Sequence, residues 1–338
     1  MGLTQSGDAA DRDLLKVSDL TLDYATVDQR IRVLEKVSLN VKKGEILGIV
    51  GESGSGKTTL GLSIIGLLDS PPADIIGGSI TFEGKELLKM SYAELSQFRG
   101  LGIGMVFQEA LAALNPVYRT DAQLRESIEV LRRAQELNLS AKDETKMMIQ
   151  ILTDLRLDKP EWVMTKYPHE LSGGMRQRLS IAMAIAEKPK LLILDEVTTG
   201  LDVYVQNRIL GILKDLNRRT GTAMMFITHD LMVASQICDR LYVMYAGRVM
   251  ERGGTERILN APLHPYTQKL FAAIPQGFVD SPPLPASVGE APDLRNLPTG
   301  CKFHPRCPFV MQKCKETEPP VFETDDERGA LCWLLEKK

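Results

Sequence analysis

Two stretches of the chain carry residue types and spacings that do chemistry. Gly51-Glu52-Ser53-Gly54-Ser55-Gly56-Lys57-Thr58 fits G-x-x-x-x-G-K-[ST]. Glycines let backbone N–H groups curl around phosphate oxygens without Cβ clashes, and a following helix points its positive end at the anion. In such a loop Gly51, Ser53, Gly54, Ser55, Gly56 and Thr59 surround the phosphates. Lys57 reaches the β- and γ-phosphates, and Thr58 offers its hydroxyl to Mg²⁺. The second stretch, Leu191-Leu192-Ile193-Leu194-Asp195-Glu196, is an apolar run ending in two acids. Ionised acids at an apolar edge need a cation or hydrogen bonds, and beside a phosphate loop Asp195 is the natural partner of Mg²⁺ or its water. Side chains alternate along a strand, so Glu196 is expected to point the other way, where it can take a proton from an attacking water. These two stretches alone specify a phosphate-loop nucleotidase.

The elements that must hold them are legible too. Glu45–Val50 reads as a strand entering the loop, and Leu60–Leu68 continues at helical spacing. Leu191–Leu194 and Ala223–Thr228 are further buried-strand runs, and Val203–Leu216 has helical periodicity. Strands alternating with helices predict a largely parallel sheet covered by helices. Asp121–Leu157 interrupts that alternation; it is charged, lacks strand-like runs and predicts two or three inserted helices. Ser91-Tyr92-Ala93-Glu94 is a capping-box pattern opening a short helix before it.

The chain has 338 residues, roughly two domains' worth. Its 43% hydrophobic and 25% charged content excludes a wholly disordered, collagen-like or coiled-coil chain. A net charge of −3 gives no global pull toward nucleic acid, so no nucleic-acid partner is expected. No run approaches 18 apolar residues, so nothing here spans a bilayer alone. Residues 1–14 read as a solvated leader without a secretory signal, although Met1-Gly2-Leu3-Thr4-Gln5-Ser6 fits the loose myristoylation pattern. A cytosolic location is therefore expected, where structural disulfides are rare. Twelve of the 18 prolines lie after residue 260 and four of the five cysteines after residue 300. Such a proline-rich tail has difficulty building a core unaided, and its cysteines are the obvious staple.

Leu171-Ser172-Gly173-Gly174-Met175, followed by a helix from Leu179, resembles the signature motif of ATP-binding cassette (ABC) ATPases. The physical reading agrees, because Ser172 is a good N-cap and two glycines bare the first amides of a helix. The resemblance implies a head-to-tail dimer in which Ser172, Gly173, Gly174 and Met175 bind the γ-phosphate held by the opposite subunit. It also implies that Tyr24 stacks on adenine, and that Gln108 touches metal and attacking water near the coupling surface for membrane partners. Asp202, in Thr199-Gly200-Leu201-Asp202, then contacts the other subunit, and His229, in Thr228-His229-Asp230, is the switch histidine. Glu196, His229 and Gln108 become the catalytic set, and Thr58, Gln108 and Asp195 the Mg²⁺ set. Two positions depart from the family's usual pattern: Met175 stands where many members have glutamine, and Val197 where proline usually follows the glutamate.

Pro262-Leu263-His264-Pro265-Tyr266-Thr267 and Tyr167-Pro168-His169-Glu170 resemble segments of oligopeptide/dipeptide importer ATPases, as does Gly300-Cys301-Lys302-Phe303-His304-Pro305-Arg306-Cys307-Pro308. The cysteines Cys301, Cys307, Cys314 and Cys332 are spaced C-x5-C-x6-C-x17-C, which is neither a zinc-ribbon knuckle nor an ordinary ferredoxin pattern. Four thiolates can still hold a [4Fe–4S] cube, which the resemblance implies; zinc, or free or disulfide cysteines, remain alternatives. Cys238 is expected to be a small buried apolar residue, and His304 a hydrogen-bonded loop histidine.

The resulting expectation is a phosphate-loop ABC domain at 15–258, with an antiparallel β subdomain and a helical subdomain at about 109–188. A loop-rich, metal-stapled region follows at 259–338. By resemblance the chain is the ATP-hydrolysing motor of an importer for oligopeptides, dipeptides or similar solutes such as oligosaccharides or nickel. Its partners would be a paralogous ATPase, two membrane permease subunits and an external solute-binding protein, with this chain at the cytoplasmic face of the membrane. The competing class is a soluble, non-transport ABC ATPase whose metal tail is structural or redox-sensing.

Overall fold

A computed structural model describes residues 13–109, 113–272, 292–325 and 327–336. The leader expected at 1–14 lies outside them up to residue 12, and Asp13 already begins the first strand. In chain order the strands are β1 (Asp13–Ala25), β2 (Arg30–Lys42), β3 (Ile46–Val50), β4 (Ala73–Phe82), β5 (Lys85–Glu86), β6 (Ile103–Val106), β7 (Leu191–Asp195), β8 (Ala223–Thr228), β9 (Arg240–Tyr245), β10 (Arg248–Gly254), β11 (Phe322–Asp325) and β12 (Arg328–Ala330). The chain divides into two units, one of residues 13–41, 46–88 and the described residues from 227 onward, the other of 42–45 and 89–226.

The first unit contains an antiparallel sheet in the order β2-β1-β4-β5. Leu20 and Leu22 of β1 are buried while Thr21 between them is not, the period-two pattern of a strand covering a core. The β1–β4 register runs from Leu15 opposite Phe82 to Tyr24 opposite Ala73. The same unit pairs β3 in parallel with β9, Leu47 opposite Arg240 through Val50 opposite Val243. All five residues of β3 are buried, which explains why it reads as an unbroken apolar run, and all six of β9 are buried as well. Cys238 is buried as expected, at the C-terminal end of the helix Leu231–Ile237.

The tail is held in part by contacts that the sequence did not announce. Strand β12 pairs antiparallel with β10, Glu251 opposite Ala330 and Arg252 opposite Gly329, and β11 pairs with β12. The tail therefore extends a sheet that already exists, and backbone hydrogen bonds do part of the work assigned to a metal staple. Its apolar anchor is Phe303, fully buried against Tyr245, Tyr266 and His264, with ring centroids 5.3, 5.4 and 5.8 Å away. Such a cluster adds edge-to-face attraction to the burial of three large rings. Glu251, fully buried, accepts from the backbone amides of Leu263 and His264 at 2.9 Å each and is faced by Arg328 at 3.8 Å. This fixes the turn that delivers Tyr266. The four tail cysteines are free thiols, and no group of three or more His, Cys, Asp or Glu among the described residues is set to hold a metal ion. Strand pairing and an aromatic cluster thus anchor the tail in this structure.

In the second unit β6 and β7 pair in parallel, Ile103 opposite Leu191 through Val106 opposite Leu194, and β8 lies on the other side of β7. The charged segment between β6 and β7 folds as helices Thr120–Ala134, Ala141–Asp154 and Pro160–Met164, followed by Gly173–Ala186. Ser140 caps the second of these through the Asp143 amide. The capping box at Ser91 forms as its pattern predicts: the Ser91 hydroxyl accepts from the Glu94 amide, and Glu94 Oε2 accepts from the Ser91 amide at 2.8 Å. Val197, the departure from proline, is 1% exposed and part of the buried core.

Candidate functional site

Two groups of the singled-out residues are assembled, one in each unit. In the first unit β3 ends at Val50, residues 51–56 form a loop, and a helix runs from Lys57 to Ile65. The glycines are required by geometry. A Cβ at Gly51 would stand 2.1 Å from the Met244 carbonyl oxygen, and one at Gly56 would stand 2.9 Å from the Val33 carbonyl oxygen. Gly54 and Gly56 have φ of 77° and 96°, which glycine adopts without a Cβ penalty. Lys57, 5% exposed, lies across the loop. Its Nζ donates to the carbonyls of Gly51 and Glu52, at 2.9 Å each.

Beside the loop lies a cavity of about 440 Å³, within the size range of ligand pockets. Tyr24, Ile31 and Val33 line one part of it, and Ser53, Gly54 and Ser55 another. An aromatic ring and two branched aliphatics beside bared loop amides suit a base at one end and phosphates at the other. Asp293, Leu294 and Arg295 of the tail also line it, which the sequence did not suggest. His229 follows β8 and is exposed. Its neighbour Asp230 caps the next helix, accepting from the amides of Met232 and Val233 at 2.8 and 3.1 Å.

The tail reaches the loop itself. Arg306 donates from Nη1 and Nη2 to both carboxylate oxygens of Glu52, at 2.8 and 3.0 Å, and Tyr266 Oη accepts from the Glu52 amide at 2.9 Å. Sequence reasoning missed this pair. The available signal was Glu52 itself, because an acid inside an anion-binding loop calls for a cation. Burial pushes the thiols of Cys301 and Cys332 up to about 11 and about 12, and the thiols also sense one another's charge. His304 hydrogen-bonds through Nδ1 to the Cys301 carbonyl at 3.0 Å.

In the second unit every residue of β7 is buried, and Asp195 at its end is 2% exposed. Glu196 does not continue the strand. Its φ is +47°, a left-handed conformation that costs a non-glycine residue and persists where surroundings impose it. The alternation expected for Glu196 is thus replaced by a turn, which aims its carboxylate. Gln108 Nε2 donates to Glu196 Oε2 at 3.2 Å, and Thr199 Oγ1 donates to the same oxygen at 3.1 Å. Gln108 was singled out from the sequence; the contact of Thr199 with Glu196 was not.

The same unit holds the glycine pair that begins a helix. Ser172 caps Gly173–Ala186, its side chain accepting from the Met175 amide, and Ser172 and Gly173 are exposed. A Cβ at Gly174 would stand 2.8 Å from Val205 Cγ1. Val205 lies on the helix Val203–Thr220, which Asp202 caps by accepting from the Val205 amide at 3.0 Å. The signature turn and the Asp202 turn are therefore packed as one piece. Val203 and Tyr204 beside it are 72% and 75% exposed.

Comparison with known proteins follows this geometry. The model of the family "ABC transporter" matches residues 34–199, and that of "Oligopeptide/dipeptide transporter, C-terminal region" matches residues 250–314. The chain is 41% identical to a probable peptide ABC transporter ATP-binding protein of Sinorhizobium fredii, over 97% of each chain. It is 41% identical to the oligopeptide transport ATP-binding protein OppD of Bacillus subtilis, over 95% of this chain and 89% of that one. It is 39% identical to the dipeptide transport ATP-binding protein DppD of Escherichia coli, over 94% and 96%. Among solved structures, a dimeric ATP-binding cassette in a post-hydrolysis state, bound to ADP and Pi, matches 71% of this chain and 98% of its own. That match has a TM-score of 0.63 and 30% identity. CbiO1 of Clostridium perfringens, part of an ABC transporter complex, covers 74% of this chain and 92% of its own with a TM-score of 0.60 and 27% identity.

Proposed function

From the premise that this chain belongs to the ABC transporter ATP-binding proteins of the oligopeptide/dipeptide type, we propose how its residues drive the import of peptides. The chain is the ATPase motor of such an importer, and permease and solute-binding subunits are its partners. The observation that carries hydrolysis, as distinct from nucleotide binding alone, is the pair of hydrogen bonds that orient Glu196 from Gln108 and Thr199. A carboxylate aimed by two donors is prepared to receive a proton from water.

ATP enters the Tyr24 cavity with adenine on the ring and its phosphates over the amides of Ser53, Gly54, Ser55 and Gly56. Lys57 then exchanges the Gly51 and Glu52 carbonyls for β- and γ-phosphate oxygens. Thr58, Asp195 and Gln108 would hold the Mg²⁺ that accompanies ATP, and the ion would supply charge neutralisation at the phosphates. Ser172, Gly173, Gly174 and Met175 of an opposing ATPase cover the γ-phosphate with the bared amides of a helix start. Asp202 belongs to the same contact, and its exposed neighbours Val203 and Tyr204 are the apolar surface for that ATPase to cover. Glu196 takes the proton of the attacking water, and His229 is the switch that reports the γ-phosphate.

The opposing ATPase is proposed to be a paralogue, giving a head-to-tail heterodimer; the solved cassette cited above is itself dimeric. No helix among the described residues is long and apolar enough to cross a membrane. The chain is proposed to sit at the cytoplasmic face of the membrane, bound to the permease near Gln108. Phe107, Val117 and Tyr118 expose apolar surface in that segment. Co-elution with detergent-solubilised permease tests this, and failure to bind would favour the soluble, non-transport ATPase.

The finer proposal for the tail is a [4Fe–4S] cluster held by Cys301, Cys307, Cys314 and Cys332. The donor chemistry supports it: four thiols, with that of Cys332 close enough to the other three to feel their charge. The cluster would supply redox-sensitive cross-linking of the two halves of the tail. Anaerobic purification with iron, sulfide and zinc analysis tests it. About four irons and four sulfides per chain support the cluster, one zinc supports the alternative ion, and no metal refutes both.

A further inference from the structure

The tail grips the phosphate loop at Glu52, with a geometry that fixes it. Arg306 presents both terminal nitrogens to both oxygens of Glu52, a bidentate fork that sets direction as well as distance. The Arg306 side chain is 9% exposed and that of Glu52 26% exposed, so the pair is largely shielded from water. Its guanidinium also lies 5.7 Å from the Tyr245 ring centroid and 5.9 Å from that of Phe303, and Nη1 donates to Tyr245 Oη at 3.3 Å. Tyr266 holds the backbone of the same residue, its Oη accepting from the Glu52 amide at 2.9 Å. Glu52 is thus gripped at side chain and backbone from two separate tail segments. Its carbonyl in turn accepts from Lys57 Nζ at 2.9 Å.

Arg306 is itself positioned by the cysteine turn. It directly precedes Cys307, and its amide donates to the Phe303 carbonyl at 3.0 Å. The His304 amide donates to the Cys301 carbonyl at 3.0 Å, and the Cys301 amide to the Cys314 carbonyl at 2.8 Å. Backbone hydrogen bonds of Cys301 and Cys314 therefore help set the turn that aims the guanidinium.

We propose that Arg306 is a positioning residue for ATP binding: through Glu52 it holds the phosphate loop in its nucleotide-receiving shape, and it makes the cysteine turn and the nucleotide site one coupled device. The coupling rests on the assignment of the loop to ATP made above. It is reciprocal, so whatever displaces the cysteine turn weakens ATP binding, and ATP binding in turn stiffens the turn.

The test is a double-mutant cycle on the full chain, with ATP affinity read by competition against a fluorescent ATP analogue. Arg306→Gln and Glu52→Gln should each weaken ATP binding about five- to tenfold, within the usual range of coupling between sites. The double variant should lose no more than either single one. Arg306→Lys, which keeps the charge but loses the fork, should recover part of the affinity. In wild type, ATP should slow amide hydrogen exchange in residues 301–307 about fivefold, and in Arg306→Gln it should not. Circular dichroism checks that each variant keeps its tail folded. Unchanged affinity in a folded Arg306→Gln variant would overturn the proposal, as would single effects that simply add in the double. Lys57→Ala separates the two assignments: if it binds ATP as wild type does, the loop assignment itself is wrong, whatever the cycle shows.

Discussion

Gln108 Nε2 lies 3.2 Å from Oε2 of Glu196, and Thr199 Oγ1 reaches the same oxygen at 3.1 Å. One donor comes from the loop after β6 and the other from the turn after β7. The carboxylate is therefore aimed by two segments that pair as neighbouring parallel strands. The +47° φ of Glu196 turns it out of the strand to meet them.

Thr199 is then an orienting residue for the base. Thr199→Val removes one donor while keeping the β-branched shape. The loss of one such hydrogen bond is worth about 1 kcal/mol, or roughly a five- to tenfold fall in kcat. The KM for ATP should stay near wild type, because the hydrogen bond of Thr199 goes to the base Glu196. Steady-state phosphate release measures both. An equal rise in KM with unchanged kcat would place Thr199 in nucleotide binding instead.

Tyr24 supplies the aromatic face of the cavity beside Ser53–Ser55. Removing a stacked ring from a base costs about 1–3 kcal/mol. Tyr24→Ala should therefore weaken ATP binding by at least fivefold, and Tyr24→Phe should restore it. Titration with a fluorescent ATP analogue reads the difference. If Phe failed to restore binding, the hydroxyl rather than the ring would be the contact.

Much of this arrangement is legible in the sequence, and the exceptions have physical causes. The phosphate loop is readable because close backbone approach leaves glycine as the only choice at Gly51 and Gly56. β7 is readable because burial on both faces demands an unbroken apolar run. The turn at Glu196 is not readable, since nothing in Leu-Asp-Glu-Val announces a left-handed residue. Strand β12 gains its structure from the free edge of β10 and not from its own three residues. The Arg306–Glu52 pair joins positions 254 residues apart, a separation that local spacing does not encode. Only the unexplained acid in the loop hinted at it.

Stability should depend on pH through Glu187, which follows the helix Gly173–Ala186. Burial pushes its carboxyl up to about 7 from the ordinary 4.5. The folded state thus holds the proton more tightly than the unfolded chain. The stability this contributes is fully present below pH 4.5 and is lost as pH rises through about 7. Glu187→Gln keeps the shape without the charge. It should raise the melting temperature relative to wild type at pH 8 and change it little at pH 4.5. Thermal melts at the two pH values decide it; an equal offset at both would mean that packing, not ionisation, is responsible.

The central claim is that this chain hydrolyses ATP with Glu196 as the base, in a dimer that closes on nucleotide. The most direct measurement compares ATP turnover and assembly state of wild type and Glu196→Gln, with the partner ATPase present. The account predicts that Glu196→Gln binds ATP normally, loses about 10²- to 10⁴-fold in kcat, and accumulates as a closed, ATP-bound dimer by size-exclusion chromatography. Wild-type turnover in Glu196→Gln, with no trapped dimer, would contradict it.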